Sequence, residues 1–325
     1  MQSFWNSLPR PFFVSAPLAD VTDPAFRRLL ATYGKPDVTW TEFVSADGLY
    51  HTREKAKIPD KENPLMRDLA FTEAERPVVA QLFSRDPEMM AYAARLVADL
   101  GFDGVDLNMG CPDRAIERQG CGSAMIKTPA TAQAVIAGAK SAGLPVSVKT
   151  RVGYNKESLD EWLPALFAAA PAAVTVHLRT RKELSLVPAH WELMQKAVAL
   201  RDAHALSVLM LGNGDVADLD DARKRAAESG ADGVMIGRGM FGNPWLFAGR
   251  KSTDTPLKDK LEALIELAHG FEALRPQKHF AILKKHIKAF ATGFDGAAEM
   301  RARLMDAENA AELEAAIRQS LAESA

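Results

Sequence analysis

One cysteine in a short polar loop is the residue of this sequence best placed to do chemistry. Cys111 lies in the segment VDLNMGCP, where an apolar run ends in a loop that is closed by Pro112. A buried strand that ends in a polar loop is a common way to present a reactive group from a rigid scaffold. The thiol allows three roles: a small buried hydrophobe, a nucleophile or a proton donor. A nucleophile needs a nearby cation that lowers its pKa, and Arg114 and Arg118 are candidates.

Three further polar side chains lie in or at the end of similar apolar runs. Lys149 lies in PVSVKT, His177 ends AVTVH and Gln81 lies in VAQLF. A lysine in such a position can hold its charge beside the pyrimidine ring of a flavin, can form a Schiff base, or can be an ordinary surface residue. The amide of Gln81 both donates and accepts hydrogen bonds, as a pyrimidine-like edge requires. Because the neighbouring run ends are also polar, we favour the flavin.

Two glycine-rich segments follow the last two apolar runs. They read LGNGD, residues 211–215, and IGRG, residues 236–239. Glycine lets the backbone approach a ligand closely, and N–H groups at the start of a helix bind anions. Arg238 adds a charged fork that suits phosphate oxygens. Tight turns alone would not require two such neighbouring segments and an arginine, so we predict a phosphate site.

Composition limits the class of protein. The 325 residues carry a net charge of −2, with 47% hydrophobic and 25% charged residues, which is ordinary for a soluble globular protein. Two cysteines argue against a disulfide framework and for a reducing compartment, and Cys121 is expected to be a packing residue. The sequence contains no CxxC motif or other cluster of metal ligands, so we expect no metal site. With no apolar run near the ~20 residues of a membrane span and no secretory signal, we expect a cytoplasmic protein.

The polar residues above require elements that bring them together. Eight apolar runs are continuous rather than alternating, as expected for strands that are covered on both faces. The predicted strands are Phe12–Ala16, Val38–Phe43, Pro77–Phe83, Gly104–Asn108, Pro145–Thr150, Ala173–His177, Ser207–Gly212 and Gly233–Gly237. The predicted helices between them are Asp23–Tyr33, Asp86–Leu100, Pro129–Ala142, Glu157–Ala170, Trp191–Ala203 and Asp218–Ser229. Eight such units predict an α/β fold, a (β/α)8 TIM barrel, rather than a doubly wound sheet.

Beyond residue 250 the pattern changes to helices alone. Lys251–Pro256 is a polar, proline-terminated linker, so we predict a barrel domain of residues 1–250 and an all-helical domain of residues 251–325. The predicted tail helices are Leu257–Leu274, Lys278–Thr292, Ala297–Asp306 and Ala310–Glu323. The second of them carries a basic stripe, which is either a solvated face or a surface that follows a phosphate backbone. In a barrel the active site lies at the carboxyl ends of the strands, where the polar residues above would meet.

These residues together resemble the tRNA-dihydrouridine synthase family, flavin-dependent enzymes that reduce uridine in RNA. The resemblance covers almost the whole chain. The segments that carry it are, in order, SAPLADVTDPAFRRL, TEF, VAQLF, VDLNMGCP with a downstream GSA, VKTRVG, VHLRTR, GNGD and DGVMIGRGMFGNPWLF. Each segment is short, but their occurrence in order on eight consecutive predicted strands is a highly specific signal.

The resemblance implies a barrel that binds FMN, takes electrons from NADPH and acts on a uridine that is flipped out of its RNA. Cys111 corresponds to the catalytic cysteine, a general acid that protonates C5 of the uracil while hydride reaches C6. The implied cofactor-binding residues are Pro17, Leu18, Ala19, Gln81, Lys149, His177, Asn213, Gly214, Asp215, Gly237 and Arg238. Candidate substrate contacts are Glu42, Asn108, Arg114, Arg179, Lys285 and His286. The implied partner is tRNA, with ribosomal RNA as the alternative, and we expect a monomer without a metal.

Three positions depart from the family pattern. Leu18 stands where the family often has Met, and Leu178 follows His177 where a Gly is common, which reshapes the next loop. In the tail, Phe290 stands where the family often has a Tyr or Trp pair. Two other functions remain in competition: a flavin barrel that acts on a free dihydropyrimidine- or dihydroorotate-type molecule, and an RNA-binding protein with an inactive barrel. The basic tail argues against the first. The presence of Cys111, Lys149, Gln81 and the phosphate segments argues against the second.

Overall fold

Parallel strands form the centre of the computed structural model, which describes residues 3–204 and 207–323. The strands are β1 Phe12–Ser15, β2 Thr39–Trp40, β3 Val44–Ser45, β4 Val78–Phe83, β5 Gly104–Met109, β6 Val146–Arg151, β7 Ala173–His177, β8 Leu209–Asn213 and β9 Gly233–Ile236. They pair in the order β1-β9-β8-β7-β6-β5-β4-β2, with β3 also beside β4. A parallel bridge between Val14 and Val38 joins the two ends of this order. The predicted TIM barrel is therefore confirmed.

Helices cover the outside of the barrel and continue into the C-terminal region. They are α1 Pro24–Tyr33, α2 Ala46–Tyr50, α3 Pro64–Asp68, α4 Pro87–Asp99, α5 Arg114–Arg118, α6 Pro129–Lys140, α7 Leu159–Ala168, α8 Glu192–His204, α9 Leu219–Ser229, α10 Leu257–Glu272, α11 Lys284–Phe290, α12 Ala297–Asp306 and α13 Ala310–Glu323. Asp23 and Asp86 cap α1 and α4 by accepting backbone N–H bonds, and a proline follows each at the first helical position. These caps explain why both helices begin where the sequence predicts.

The strands are buried on both faces because each separates the helical layer from the barrel interior. In β5, Val105 and Leu107 pack in the apolar cluster that includes α4 and α6. Asp106 points to the other face and is fully buried. The register places Gln81 beside Asp106 and Asp106 beside Ser147. A polar layer therefore lies inside the barrel, below the ends of β4, β5 and β6.

The second predicted strand, Val38–Phe43, is only partly confirmed. The chain forms the two-residue strands β2 and β3, interrupted at residues 41–43. In this interruption the Thr41 hydroxyl donates to the Glu42 carbonyl at 2.8 Å and accepts the Gln81 N–H at 3.0 Å. The side-chain bond replaces a regular ladder bond and ends β2. The short helices α2 and α3 follow, and neither was predicted.

The C-terminal region shares an apolar core with the barrel helices. Leu264 and Phe271 of α10 pack in one cluster with Phe26 and Leu30 of α1. The predicted helix Lys278–Thr292 is wrong at its start: a 3-10 turn, Phe280–Leu283, precedes the shorter α11, because His279 Nδ1 accepts the Ala281 N–H at 3.2 Å. The domain boundary at residue 250 stays a prediction. Among residues 3–204 and 207–323, no helix is long and apolar enough to cross a membrane.

Candidate active site

A cavity of about 430 Å³ opens at the carboxyl ends of the barrel strands. This volume is within the range of small-molecule and cofactor sites. Twelve of the predicted residues line it, namely Pro17, Leu18, Ala19, Gln81, Cys111, Lys149, His177, Asn213, Gly214, Asp215, Gly237 and Arg238. Asn108 and Arg179, predicted as substrate contacts, also line it. The fold therefore brings every predicted catalytic and cofactor-binding residue to one cavity.

The loop that carries Cys111 is held through its backbone. The side-chain oxygen Oδ1 of Asn108 accepts the N–H groups of Cys111 and Gly110, at 2.9 and 3.2 Å. The Cys111 carbonyl accepts the Ser123 N–H at 2.9 Å. Gly122 has φ +60°, and a Cβ there would lie 2.6 Å from the Cys111 carbonyl oxygen, so this close approach requires glycine. Both ends of the cysteine backbone are thereby fixed.

The environment of the Cys111 thiol favours its neutral form. Burial raises the pKa of the thiol, and the nearby Arg151 and Lys149 offset this only in part. Arg114 and Arg118, the cations proposed from the sequence, lie exposed in α5 and do not produce a low pKa. A thiol that stays protonated at neutral pH is a poor nucleophile and a suitable proton donor. The geometry therefore favours the last of the three roles that the sequence left open.

A chain of hydrogen bonds through two side-chain amides leads from the buried carboxylate of Asp106 to the Cys111 loop. Asp106 accepts hydrogen bonds from Gln81 Nε2 at 2.7 Å and from the Ser147 hydroxyl at 2.6 Å. Gln81 Oε1 in turn accepts from Asn108 Nδ2 at 3.2 Å. Burial raises the pKa of Asp106 to about 6, so at neutral pH it is ionised and only accepts. The carboxylate thus sets the direction of both amides and leaves the Asn108 oxygen facing the cysteine loop.

Lys149 and His177 form the next part of the cavity wall. Lys149 Nζ donates to Asn213 Oδ1 at 3.2 Å, and burial together with Arg151 lowers the pKa of the lysine to about 8. Burial, with Lys149 and several arginines, lowers the pKa of His177 well below its usual value. The imidazole is therefore neutral, and its Nε2 accepts from Arg179 Nη1 at 3.2 Å. Since Arg only donates, the ring proton is on Nδ1.

A cluster of charges occupies the far side of the cavity. Asp215 forms ion pairs with Arg179 and with Arg238, the latter at 2.5 Å, and also accepts the Ala189 N–H at 2.9 Å. The hydrogen bond from Arg179 lowers the pKa of Asp215. The Arg238 side chain remains 65% exposed, so it keeps donors for a further partner. At this point a single carboxylate holds two guanidinium groups in place.

The donor set fits a phosphate-bearing cofactor such as the implied FMN. Four cations line the cavity, namely Lys149, Arg151, Arg179 and Arg238, against the two carboxylates Asp113 and Asp215. This excess of positive charge suits an anion. A Cβ at Gly237 would lie 3.6 Å from the Ala16 Cβ and would take up room at the cavity wall. The glycine therefore leaves space where a ligand can approach the backbone. Among the described residues no cluster of potential metal ligands occurs.

Two predicted substrate residues are buried by other contacts. Glu42 is 5% exposed and accepts hydrogen bonds from the Lys278 ammonium at 2.7 Å and from the Asp20 backbone N–H. His286 is 1% exposed, with its ring 4.8 Å from that of Phe26 and 5.8 Å from that of Phe241, measured between centroids. Burial lowers the pKa of His286 to about 4, so it carries no charge for RNA. These placements do not support direct substrate contacts.

Two other predicted contacts are accessible but lie outside the cavity. Arg114 is exposed at the start of α5, in the loop that carries Cys111. Lys285 is exposed and pairs with Asp20 at 3.2 Å. The basic stripe predicted with Lys285 is reduced: Lys278 is buried and Lys284 donates to the Met305 carbonyl at 2.6 Å, while Lys285 and Lys288 are exposed.

Arg151 is a cavity residue that the sequence places at a strand end beside Lys149 but that was not among the predicted site residues. Its Nε donates to the Gly110 carbonyl at 2.7 Å, and its Nη1 donates to the carbonyls of Thr180 and Leu184, both at 3.1 Å. One buried guanidinium thus joins the cysteine loop to the loop after β7. The sequence contained a signal for Arg151: side chains alternate between the two faces of a strand, so residues 149 and 151 must share a face of β6.

Comparison with solved structures supports the fold. A morphinone reductase mutant in complex with tetrahydroNAD matches with a TM-score of 0.52 and 12% identity, over 74% of this chain and 86% of that one. At this identity the match concerns the architecture alone.

Comparison with known sequences identifies the family. The family model for dihydrouridine synthase (Dus) matches residues 14–325. A probable tRNA-dihydrouridine synthase 2 of Bacillus subtilis is 40% identical over 319 residues, 97% of this chain and 95% of the relative. A probable tRNA-dihydrouridine synthase of Staphylococcus epidermidis is 38% identical over 314 residues, 96% of this chain and 94% of the relative. The chain therefore belongs to the dihydrouridine synthase family.

Proposed function

We propose that this protein reduces the C5–C6 double bond of uridines in tRNA to 5,6-dihydrouridine, with FMN as the bound cofactor and NADPH as the reductant. One observation carries the proposal: a thiol that burial keeps protonated lines the same cavity as a cluster of cations suited to an anionic cofactor. The relatives named above are called probable tRNA-dihydrouridine synthases, which supports the choice of tRNA.

The cavity residues divide into two groups toward the cofactor. Arg238 and the backbone at Gly214 and Gly237 would hold the phosphate, because an exposed guanidinium and a loop backbone that lines the cavity suit its oxygens. Lys149 and Gln81 would hold the flavin ring, where the ammonium stabilises negative charge and the amide bonds a pyrimidine edge. The bound flavin, once reduced, would supply the hydride that C6 of the uracil accepts.

Cys111 completes the reduction with a proton. The Cys111 S–H bond breaks and a C–H bond forms at C5, so that one hydride and one proton have been added across the double bond. The thiolate that remains takes up a proton from solvent, which restores the acid. A raised thiol pKa suits this role, because the group must hold its proton until C5 becomes basic. The Asn108 and Ser123 bonds fix the cysteine backbone, so the thiol meets the base in one geometry.

The uridine must leave its helix or stack to reach this cavity. Enzymes that modify a base inside folded RNA extrude the nucleotide into the active site. Arg114 and Lys285 are exposed and can contact phosphates of the surrounding RNA. We propose both as RNA contacts and not as parts of the catalytic cavity.

The decisive experiment measures dihydrouridine in RNA. We expect that a strain without this gene lacks dihydrouridine at one or more tRNA positions, and that the purified protein with FMN and NADPH restores it in that tRNA. Mass spectrometry of nuclease-digested RNA reports the modified position. A deletion strain that keeps every dihydrouridine in its tRNA would contradict the proposal.

Two matched substrates separate the remaining alternatives. Free uracil and orotate, given to the same protein with FMN and NADPH, should be reduced far more slowly than the uridine of tRNA. Ribosomal RNA from the deletion strain should retain its dihydrouridine. Loss from ribosomal RNA alone would keep the chemistry and change the substrate.

A further inference from the structure

A buried lysine of the C-terminal region reaches a loop that lines the cofactor cavity. Lys278 is 8% exposed, and its Nζ lies 2.7 Å from Glu42 Oε2 and 3.4 Å from Asp68 Oδ1. The other oxygen of Glu42 accepts the backbone N–H of Asp20. Asp20 directly follows residues 17–19, which line the cavity. A continuous set of contacts therefore links the C-terminal region to the cavity wall.

The backbone at Asp20 needs this support. Its φ of +56° is in the left-handed region, which a non-glycine residue keeps only where its surroundings hold it. The other part of the loop is held separately, since the Leu18 N–H donates to the Thr22 hydroxyl at 2.9 Å. Glu42 is thus the side chain that holds the backbone N–H of the strained residue.

Lys278 in turn determines the state of Glu42. Burial raises the pKa of Glu42, and the ammonium of Lys278 is the main influence that opposes it. Three carboxylates, those of Glu42, Asp68 and Asp23, act on Lys278 and raise its pKa. Without the lysine, buried Glu42 would keep the negative charges of Asp68 and Asp23 nearby and lose the ammonium that offsets them, so it would either take up a proton or turn away. Either change weakens its bond to the Asp20 N–H.

We propose that Lys278 is a positioning residue for the cofactor, which acts through Glu42 to hold the loop of residues 17–20 against the cavity. This inference rests on the proposed function, because it takes FMN as the occupant. It makes the C-terminal region a part of the cofactor site and not only a surface for RNA.

The test is the affinity of the full-length protein for FMN, followed by quenching of flavin fluorescence. Lys278→Met should bind FMN about tenfold more weakly, the size expected from the loss of one charge-assisted interaction. Glu42→Gln, which keeps the side-chain size, should weaken binding in the same direction. Because both residues act along one path, the double variant should be little weaker than Lys278→Met.

Two controls separate this path from general loosening of the protein. Lys285→Ala removes the exposed ion pair with the Asp20 carboxylate, and Tyr33→Phe removes the 2.8 Å bond to Glu266 that joins α1 to α10. Both should change FMN affinity less than about twofold, since exposed pairs contribute little. Thermal unfolding without FMN shows whether each variant is folded.

The results of these titrations distinguish failure of the inference from failure of the proposed function. Unchanged FMN affinity in Glu42→Gln and in Lys278→Met, in a protein that otherwise binds FMN, would overturn the inference and leave the proposed function intact. An equal loss in Tyr33→Phe would also overturn it, because a contact far from the loop would then suffice. If the unaltered protein binds no FMN, the proposed function itself fails. Should Lys278→Met not fold, Glu42→Gln alone carries the test.

Discussion

The two sides of the cavity are held by opposite kinds of bonding. At the end of β5, the Cys111 loop depends on neutral amides, those of Asn108 and Gln81, that end on one buried carboxylate. Across the barrel, at the ends of β8 and β9, Asp215 holds two arginines by charge. The first arrangement leaves the thiol with a raised pKa, and the second leaves an excess of positive charge. The difference suggests that one side delivers a proton and the other binds an anion.

Removing the thiol should separate the two sides most sharply. Cys111→Ala is expected to lower the rate of dihydrouridine formation by roughly 10²- to 10⁴-fold, the range for loss of a general acid. FMN affinity should stay within about twofold, because the cations across the cavity are untouched. Single-turnover assays on tRNA and FMN titration measure the two effects.

Cys121→Ala is the matched control for this substitution. Cys121 is buried, and its pKa is raised to about 11 by burial, but it does not line the cavity. The rate of this variant should stay close to that of the unaltered protein. Full activity of Cys111→Ala would exclude a proton-donor role for Cys111.

Lys149 donates to Asn213 at the end of β8, and its substitution tests the side of the cavity that is proposed to bind the anion. Lys149→Met is expected to weaken FMN binding by roughly 10- to 100-fold, as for the loss of a hydrogen bond to a charged partner. Lys140→Met, which removes an exposed lysine that donates to the carbonyls of Ala169 and Ala170, should leave the affinity unchanged. Fluorescence titration of both variants gives the comparison, and equal affinities would remove Lys149 from the cofactor site.

The same lysine predicts a pH dependence. Its pKa of about 8 lies below the ordinary value, so its positive charge is present below that pH and is lost as pH rises through it. An anionic ligand prefers the protonated lysine, and FMN affinity should therefore fall by about tenfold between pH 7 and pH 9. Titrations across this range should show the fall in the unaltered protein and a flat profile in Lys149→Met. A fall of equal size in both would assign the pH dependence to another group.

The sequence predicted the strands and the cavity residues better than the contacts between distant segments and the short helices. Continuous apolar runs with polar ends located the strands and the cavity residues, because burial on both faces and the barrel rule act locally in the chain. Glu42 and His286 are buried outside the cavity, and the sequence did not indicate this because their partners are distant along the chain: Lys278 lies 236 residues after Glu42. The segment after Ser45 was missed as well, because α2 and α3 have only five residues each, too few for a helical repeat to show in the sequence.

The smallest expected effect concerns the hydrogen-bonded side-chain amides that support the Cys111 loop. Asn108→Ala removes the oxygen that accepts the Cys111 and Gly110 N–H groups, at a cost of about 1 kcal/mol for a net hydrogen bond, or about fivefold in rate. The rate of dihydrouridine formation should fall more than FMN affinity, because the cysteine loop loses its anchor while the cation cluster keeps its own. Gln133→Ala removes a 2.9 Å side-chain amide bond to the Ala165 carbonyl at a residue that does not line the cavity, so its rate should stay within about twofold. If Asn108→Ala lost FMN affinity as strongly as rate, the two sides of the cavity would not be independent, and the amide chain would serve the cofactor as much as the thiol.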